Sequence, residues 1–211
     1  MRLALVAIVA AAAAVSLSAQ TPKPNLLKPA TVAEKSPPVF RARIENTRDT
    51  FVIEVHRDWA PNGADRFYAL VRAGFYDKCS FFRVLPYFLA QFGIHADPKV
   101  QAAWRTATIP DDPVKMSNKA GYVTFATTGA NTRTTQVFIN YRDNVMLDAQ
   151  GFAPFGVVVE GMTNAGQLES KFGDRPDQKR IELEGNAYLS REFPGLSYIT
   201  RATIVPTAKP R

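Results

Sequence analysis

The chain has 211 residues, of which 46% are hydrophobic, 11% aromatic and 21% charged. That balance supports one globular domain with a sizeable core and fits neither a disordered chain nor a multi-span membrane protein. The net charge of +7 is spread along the sequence without a run of Lys and Arg, so a basic soluble surface is expected and no nucleic-acid arm is indicated.

The N-terminus opens with Arg2, an apolar stretch from Leu3 to Val15, and small residues at Ser16, Ser18 and Ala19. This is the pattern of a secretory signal with cleavage after Ser18 or Ala19. The apolar stretch is shorter than the roughly 20 residues a membrane span needs. Residues 1–19 are therefore expected to be a signal peptide. The mature protein would cross the cytoplasmic membrane, with a bacterial periplasm as its compartment, and keep no membrane attachment. From Gln20 to Pro38 there are five prolines and three lysines with no apolar period, which reads as a flexible linker. The folded domain is expected over 39–205, with a short tail over 206–211.

Val39–Ile44 and Thr50–His56 alternate in polarity around a short polar turn and predict a hairpin. A helix follows between Asp58 and Gly74, centred on Gly63–Ala73. Pro61 stands near its start, Phe67, Leu70 and Val71 share one face, and Gly74 supplies the stop. Further strands are expected at Phe81–Leu85, Phe88–Ile94, Gly121–Ala126, Gln136–Tyr141, Phe155–Val159 and Tyr198–Ile204, with a second helix at Asn164–Phe172. The segment from Asp97 to Asn118 is long for a connection, which marks an ordered or functional excursion. Eight short strands and two helices predict a mainly β fold, a closed eight-stranded antiparallel barrel capped by two α-helices.

The chemistry-bearing residues are sparse. His56 and His95 lack the spacing of a metal pair and are read as structural. Cys79 beside Lys78 has no assigned histidine partner and is read as a passive thiol. No Gly-rich phosphate loop or nucleophile elbow occurs. Neither a metal nor any other cofactor is expected. An enzyme with none of these needs a reaction such as rotation about an amide.

Three segments resemble the cyclophilin-type peptidyl-prolyl cis-trans isomerases. In Phe81-Phe-Arg-Val-Leu-Pro-Tyr-Phe-Leu-Ala-Gln-Phe-Gly93, residues Arg83, Phe88 and Gln91 stand where the family carries its arginine, phenylalanine and glutamine. Gly121–Thr127 with Asn131–Ile139 is similar to the second signature, through Phe125, Ala126, Thr127, Gln136, Val137 and Phe138. Leu147-Asp148 and Phe155-Gly156 are similar to two further family pairs. The resemblance runs from about Val39 to Ile204. Phe82, Thr127, Met146 and Phe152 replace a histidine, an asparagine, a tryptophan and a second histidine of the family pattern. Together with Ile109-Pro-Asp-Asp-Pro113 they resemble a divergent bacterial branch.

The resemblance implies an isomerase that assists folding of exported proteins, acting as a monomer on proline-containing segments of client proteins, with no nucleic acid and no membrane as partner. Arg83, Phe88 and Gln91 would be catalytic. Phe125, Ala126, Thr127, Gln136, Phe138, Leu147, Phe82 and Phe152 would bind substrate. The alternative is a proline-peptide-binding chaperone or scaffold with little turnover. A hollow carrier barrel is disfavoured, because the many large apolar side chains should fill its interior.

Overall fold

The computed structural model describes residues 24–206. The signal-peptide reading of residues 1–19 and most of the tail reading of 206–211 lie outside the described residues. In chain order the elements are β1 (Val39–Asn46), β2 (Thr50–His56), α1 (Pro61–Ala73), β3 (Arg83–Leu85), β4 (Leu89–Phe92), α2 (Pro98–Trp104), β5 (Tyr122–Phe125), β6 (Val137–Asn140), β7 (Pro154–Glu160), α3 (Met162–Ala165), α4 (Gln178–Glu184), α5 (Asn186–Glu192) and β8 (Ile199–Val205).

The strands form one eight-stranded antiparallel sheet in the order β3-β4-β6-β5-β7-β2-β1-β8. The sheet curls into a half-barrel, which corrects the closed barrel expected from sequence. Its edges, β3 and β8, share no ladder; single backbone contacts link the run before β3 to the start of β8, among them a Ser80–Tyr198 bridge.

The helices differ from expectation as well. α1 forms as predicted, with Pro61 in its first turn and Gly74 at φ 74° closing it by donating to the Leu70 and Val71 carbonyls. The second helix, expected at Asn164–Phe172, is instead a single turn at Met162–Ala165 that overlaps it only at residues 164–165. α2, in the 97–118 excursion, and α4 and α5 further on are helices not predicted from sequence.

Strand periodicity sorts the side chains. Ala90 and Phe92 of β4, Val137 and Ile139 of β6, and Phe125 of β5 point into the main core with Phe51, Phe67, Phe81 and Phe155. Leu89 and Phe138, on the opposite face of β4 and β6, pack with Leu147 in a separate small cluster. Burying so many aromatic side chains contributes about 1.5–3 kcal/mol each, which makes the inner face the main source of stability.

Residues 24–38 differ from the linker reading. The Trp104 indole N–H donates to the Leu26 carbonyl at 2.8 Å, and Val32 is buried in the main core. The Ser36 amide and hydroxyl donate to Asp65 on α1 at 2.9 and 3.0 Å. Asp65 is also held by Arg57 at 2.8 Å. Within the arm Pro29 opens one 3-10 turn, Pro29–Thr31, and the arm docks on α1 and on Trp104 of α2.

Candidate active site

Cross-strand register builds the site. Arg83 of β3 pairs with Gln91 of β4, and Gln91 pairs with Phe138 of β6. Residues paired directly across antiparallel strands share a face, so these three side chains form one row on the outer face of the half-barrel. Below the row lies a cavity of about 370 Å³. Every site residue named from sequence lines it except Phe82 and Phe125.

The structure corrects both. Phe82 lies ahead of β3 and is buried with Ile94, Ile181, Tyr188 and Leu189 in a cluster separate from the main core. Phe125 pairs with Val137, an inward residue, and its ring meets Phe155 at 5.1 Å in the main core. Neither reaches the cavity.

One end of the cavity is apolar. Phe138 and Phe152 meet edge to face at 5.8 Å, with Leu147, Leu89 and Phe88 around them. The other side of the row is polar. The Gln91 amide donates to the Gln136 side-chain carbonyl at 2.8 Å, and an Arg83 N–H donates to the Gln91 side-chain carbonyl at 3.4 Å. The Arg83 guanidinium lies 5.6 Å from the Phe88 ring centroid and makes no ion pair with a carboxylate among the described residues. A guanidinium carries five N–H donors, so most of those on Arg83 remain available to the cavity. The Thr127 hydroxyl is engaged with Thr132 at 2.8 Å within its own loop.

The wall carrying Leu147 and Phe152 is positioned by a buried polar network that sequence reasoning did not find. Asn118 is fully buried; its amide donates to the Asp148 carboxylate and to the Phe152 carbonyl, both at 2.8 Å. Its carbonyl accepts from the Thr124 hydroxyl at 2.8 Å and from Asn140 at 3.3 Å. Asn144, also fully buried, bridges Asn140 at 2.8 Å and the Phe88 carbonyl at 3.0 Å. Burial opposes ionisation of Asp148, but hydrogen bonds from Ser117 and Asn118 outweigh it and hold the carboxyl below its usual range. The network thus ties the backbone at Phe88 and Phe152, on two sides of the apolar end, to one set of buried amides.

The remaining titratable candidates stand apart. Burial pushes the Cys79 thiol up, which keeps it protonated and unreactive. His95 is lowered chiefly by burial, and its ring accepts from the Asp97 amide at 2.9 Å. His56 stacks on Trp59 with ring centroids 4.2 Å apart. None of the three lines the cavity.

Comparison with known proteins follows this geometry. A family model described as cyclophilin type peptidyl-prolyl cis-trans isomerase matches residues 41–184. The chain is 29% identical over 142 residues to peptidyl-prolyl cis-trans isomerase-like 1 of Gibberella zeae, covering 63% of this chain and 85% of that protein. It is 32% identical over 115 residues to a peptidyl-prolyl cis-trans isomerase of Acinetobacter baylyi, covering 52% of this chain and 61% of that one. In fold it is similar to a cyclophilin type peptidyl-prolyl cis-trans isomerase of Cryptosporidium parvum. The TM-score is 0.61 at 19% identity, with 80% of this chain and 99% of the other covered. The same protein, solved in the presence of the dipeptide Ala-Pro, gives a TM-score of 0.60 at 18% identity, with 79% of this chain and 99% of that one covered.

Proposed function

The chain belongs to the cyclophilin-type peptidyl-prolyl cis-trans isomerase family, and from that premise we propose that its Arg83–Gln91–Phe138 row catalyses rotation about X-Pro bonds in client proteins. The observation that carries this reading is the juxtaposition of an apolar ring pocket with a guanidinium that has no carboxylate partner among the described residues. A related structure in the presence of Ala-Pro supports a proline-containing occupant.

The barrier to rotation, about 18–20 kcal/mol, comes from amide resonance. In the twisted transition state the resonance is lost, and the prolyl nitrogen pyramidalises and gains a lone pair. An Arg83 N–H can bond that lone pair, whereas the planar ground-state nitrogen is a poor acceptor. The stabilisation is therefore larger in the transition state, which is what accelerates the step. Phe138, Leu147, Phe152 and Phe88 would hold the pyrrolidine ring, so that rotation falls on the chain preceding it. Gln91 and Gln136, already bonded to each other, offer their remaining amide groups to the substrate backbone. No bond is made or broken and no proton moves.

The test is isomerisation of a proline tetrapeptide followed with and without the protein. Acceleration over the spontaneous tens to hundreds of seconds is expected; binding of the peptide without acceleration would contradict the proposal. We also propose export, on the strength of the Arg2–Ala19 pattern. N-terminal sequencing of protein purified from its host should begin at Ala19 or Gln20, and an intact Met1 would refute it.

A further inference from the structure

The cavity does not end at the ring pocket. Its wall continues to Arg105, Gln178 and Glu182, the last two carried by α4. That helix packs against α2 and α5. Ile181 packs in the buried cluster with Phe82, Tyr188 and Leu189. Gly185, at φ 62°, ends the helix so close to the Ala96 carbonyl that a Cβ would stand 2.2 Å from it, and the next amide, of Asn186, donates to the same carbonyl at 3.1 Å. Phe82, absent from the cavity, therefore helps to seat the helix that delivers Glu182 to it.

The two acidic residues of α4 meet different surroundings. Glu184 is saturated by Arg180 at 2.8 Å and Arg191 at 2.9 Å. Glu182 is half-buried, lines the cavity, and makes no ion pair or side-chain hydrogen bond among the described residues. Arg105 is exposed and not within ion-pair distance of it, so its charge is screened by water. Burial raises the Glu182 carboxyl above its usual range, and Arg105 only partly opposes this. Of the two charges at this end, Glu182 is the one partly withdrawn from solvent and without an ion-pair partner among the described residues, and it gains most from an added cation.

We propose that Glu182 is a specificity-determining residue that accepts a lysine or arginine side chain lying within two residues of the prolyl bond, so that the groove favours basic client segments. The inference rests on the isomerase reading for the placement of proline. Each residue of an extended chain spans about 3.3–3.6 Å, so a neighbour of the proline can reach the far wall of the cavity while the ring stays against Phe138.

The test is a proline-peptide series with lysine, norleucine or glutamate at each of the two positions on either side of the X-Pro unit. Both kcat/KM and Kd are measured for the wild type, Glu182→Gln and Glu182→Lys, with circular dichroism confirming folding. At one position the wild type should favour lysine over norleucine by about three- to fivefold, the range of a partly solvated ion pair, with glutamate last. The ratio should fall to about one in Glu182→Gln, and glutamate should lead in Glu182→Lys. A flat series in the wild type, a glutamate preference there, or a lysine preference that survives Glu182→Gln would overturn the assignment. Ranked Kd values without turnover would sink the isomerase reading and leave Glu182 as the specificity residue.

Discussion

Replacing Asn118 by alanine should both destabilise the protein and loosen its groove. The wild-type side chain satisfies four partners: the Asp148 carboxylate, the Phe152 carbonyl, the Thr124 hydroxyl and the Asn140 amide. Each such hydrogen bond contributes about 1 kcal/mol net, and a buried group left without a partner costs about 1–3 kcal/mol. Because the partners share one network, the costs do not simply add. A loss of about 3–5 kcal/mol is expected, a large part of the 5–15 kcal/mol typical of a domain. For a chain of this length it should lower Tm by roughly 6–20 °C.

Urea denaturation measures the loss directly, with an unchanged slope showing that the denatured state is not altered. The second readout separates a site-positioning role from mere stability. At a temperature where the variant is fully folded, its KM for a proline peptide should rise, because Phe152 and Leu147 lose their anchor. A loss below about 1 kcal/mol, or normal peptide binding in the folded variant, would refute the argument that this network sets the wall.

Three further outcomes are expected. Asp148 and Asp65 are both held below the usual carboxylate range, so their contribution to stability is present above about pH 4 and is lost as pH falls through their lower folded-state values. Acid denaturation followed by fluorescence should show this, and Asp148→Asn should flatten that limb. Removing residues 24–38 should cost about 2–4 kcal/mol in a urea melt, since Val32 burial and the Leu26 and Ser36 hydrogen bonds are lost; an unchanged midpoint would mean the arm is passive. Cyclosporin inhibition should be weaker than for family members with a tryptophan at the position of Met146, by at least about tenfold in Ki. Met146 is 48% exposed and has no indole N–H to donate.

Most of the sheet was legible because its strands carry a strong period of two with aromatic and β-branched inner positions. The same period decides one of the two misplaced site residues: Thr124 pairs with Phe138, so Phe125, one step out of phase, turns inward. Phe82 lies ahead of β3, where no ladder sets its face, and it packs with Ile181, Tyr188 and Leu189 of α4 and α5 instead. α2 carried a readable signal, with Asp97 accepting from Lys99 N–H and Pro98 opening the helix, but the long polar excursion hid it. α4 is similar, capped by Asp177 and closed by Gly185. The buried amides were not legible. Asn118, Asn140 and Asn144 look like loop residues until tertiary pairing brings them together, and no local pattern marks a polar side chain that will be fully buried. Whether the sheet closes was equally out of reach, because it depends on how β3 and β8 meet across the whole chain.

The account turns on the differential bond from Arg83 to the pyramidal prolyl nitrogen, and peptide isomerisation by wild type, Arg83→Ala and Arg83→Lys tests it most directly. Arg83 projects from the outer row and is absent from the buried core, so both variants should fold. Arg83→Ala should lose about 10²–10³ in kcat/KM, the cost of deleting one well-placed transition-state donor. Arg83→Lys should be nearly as poor, because a flexible ammonium lacks the planar fork. A folded Arg83→Ala variant that turns over proline peptide at the wild-type rate would contradict the mechanism.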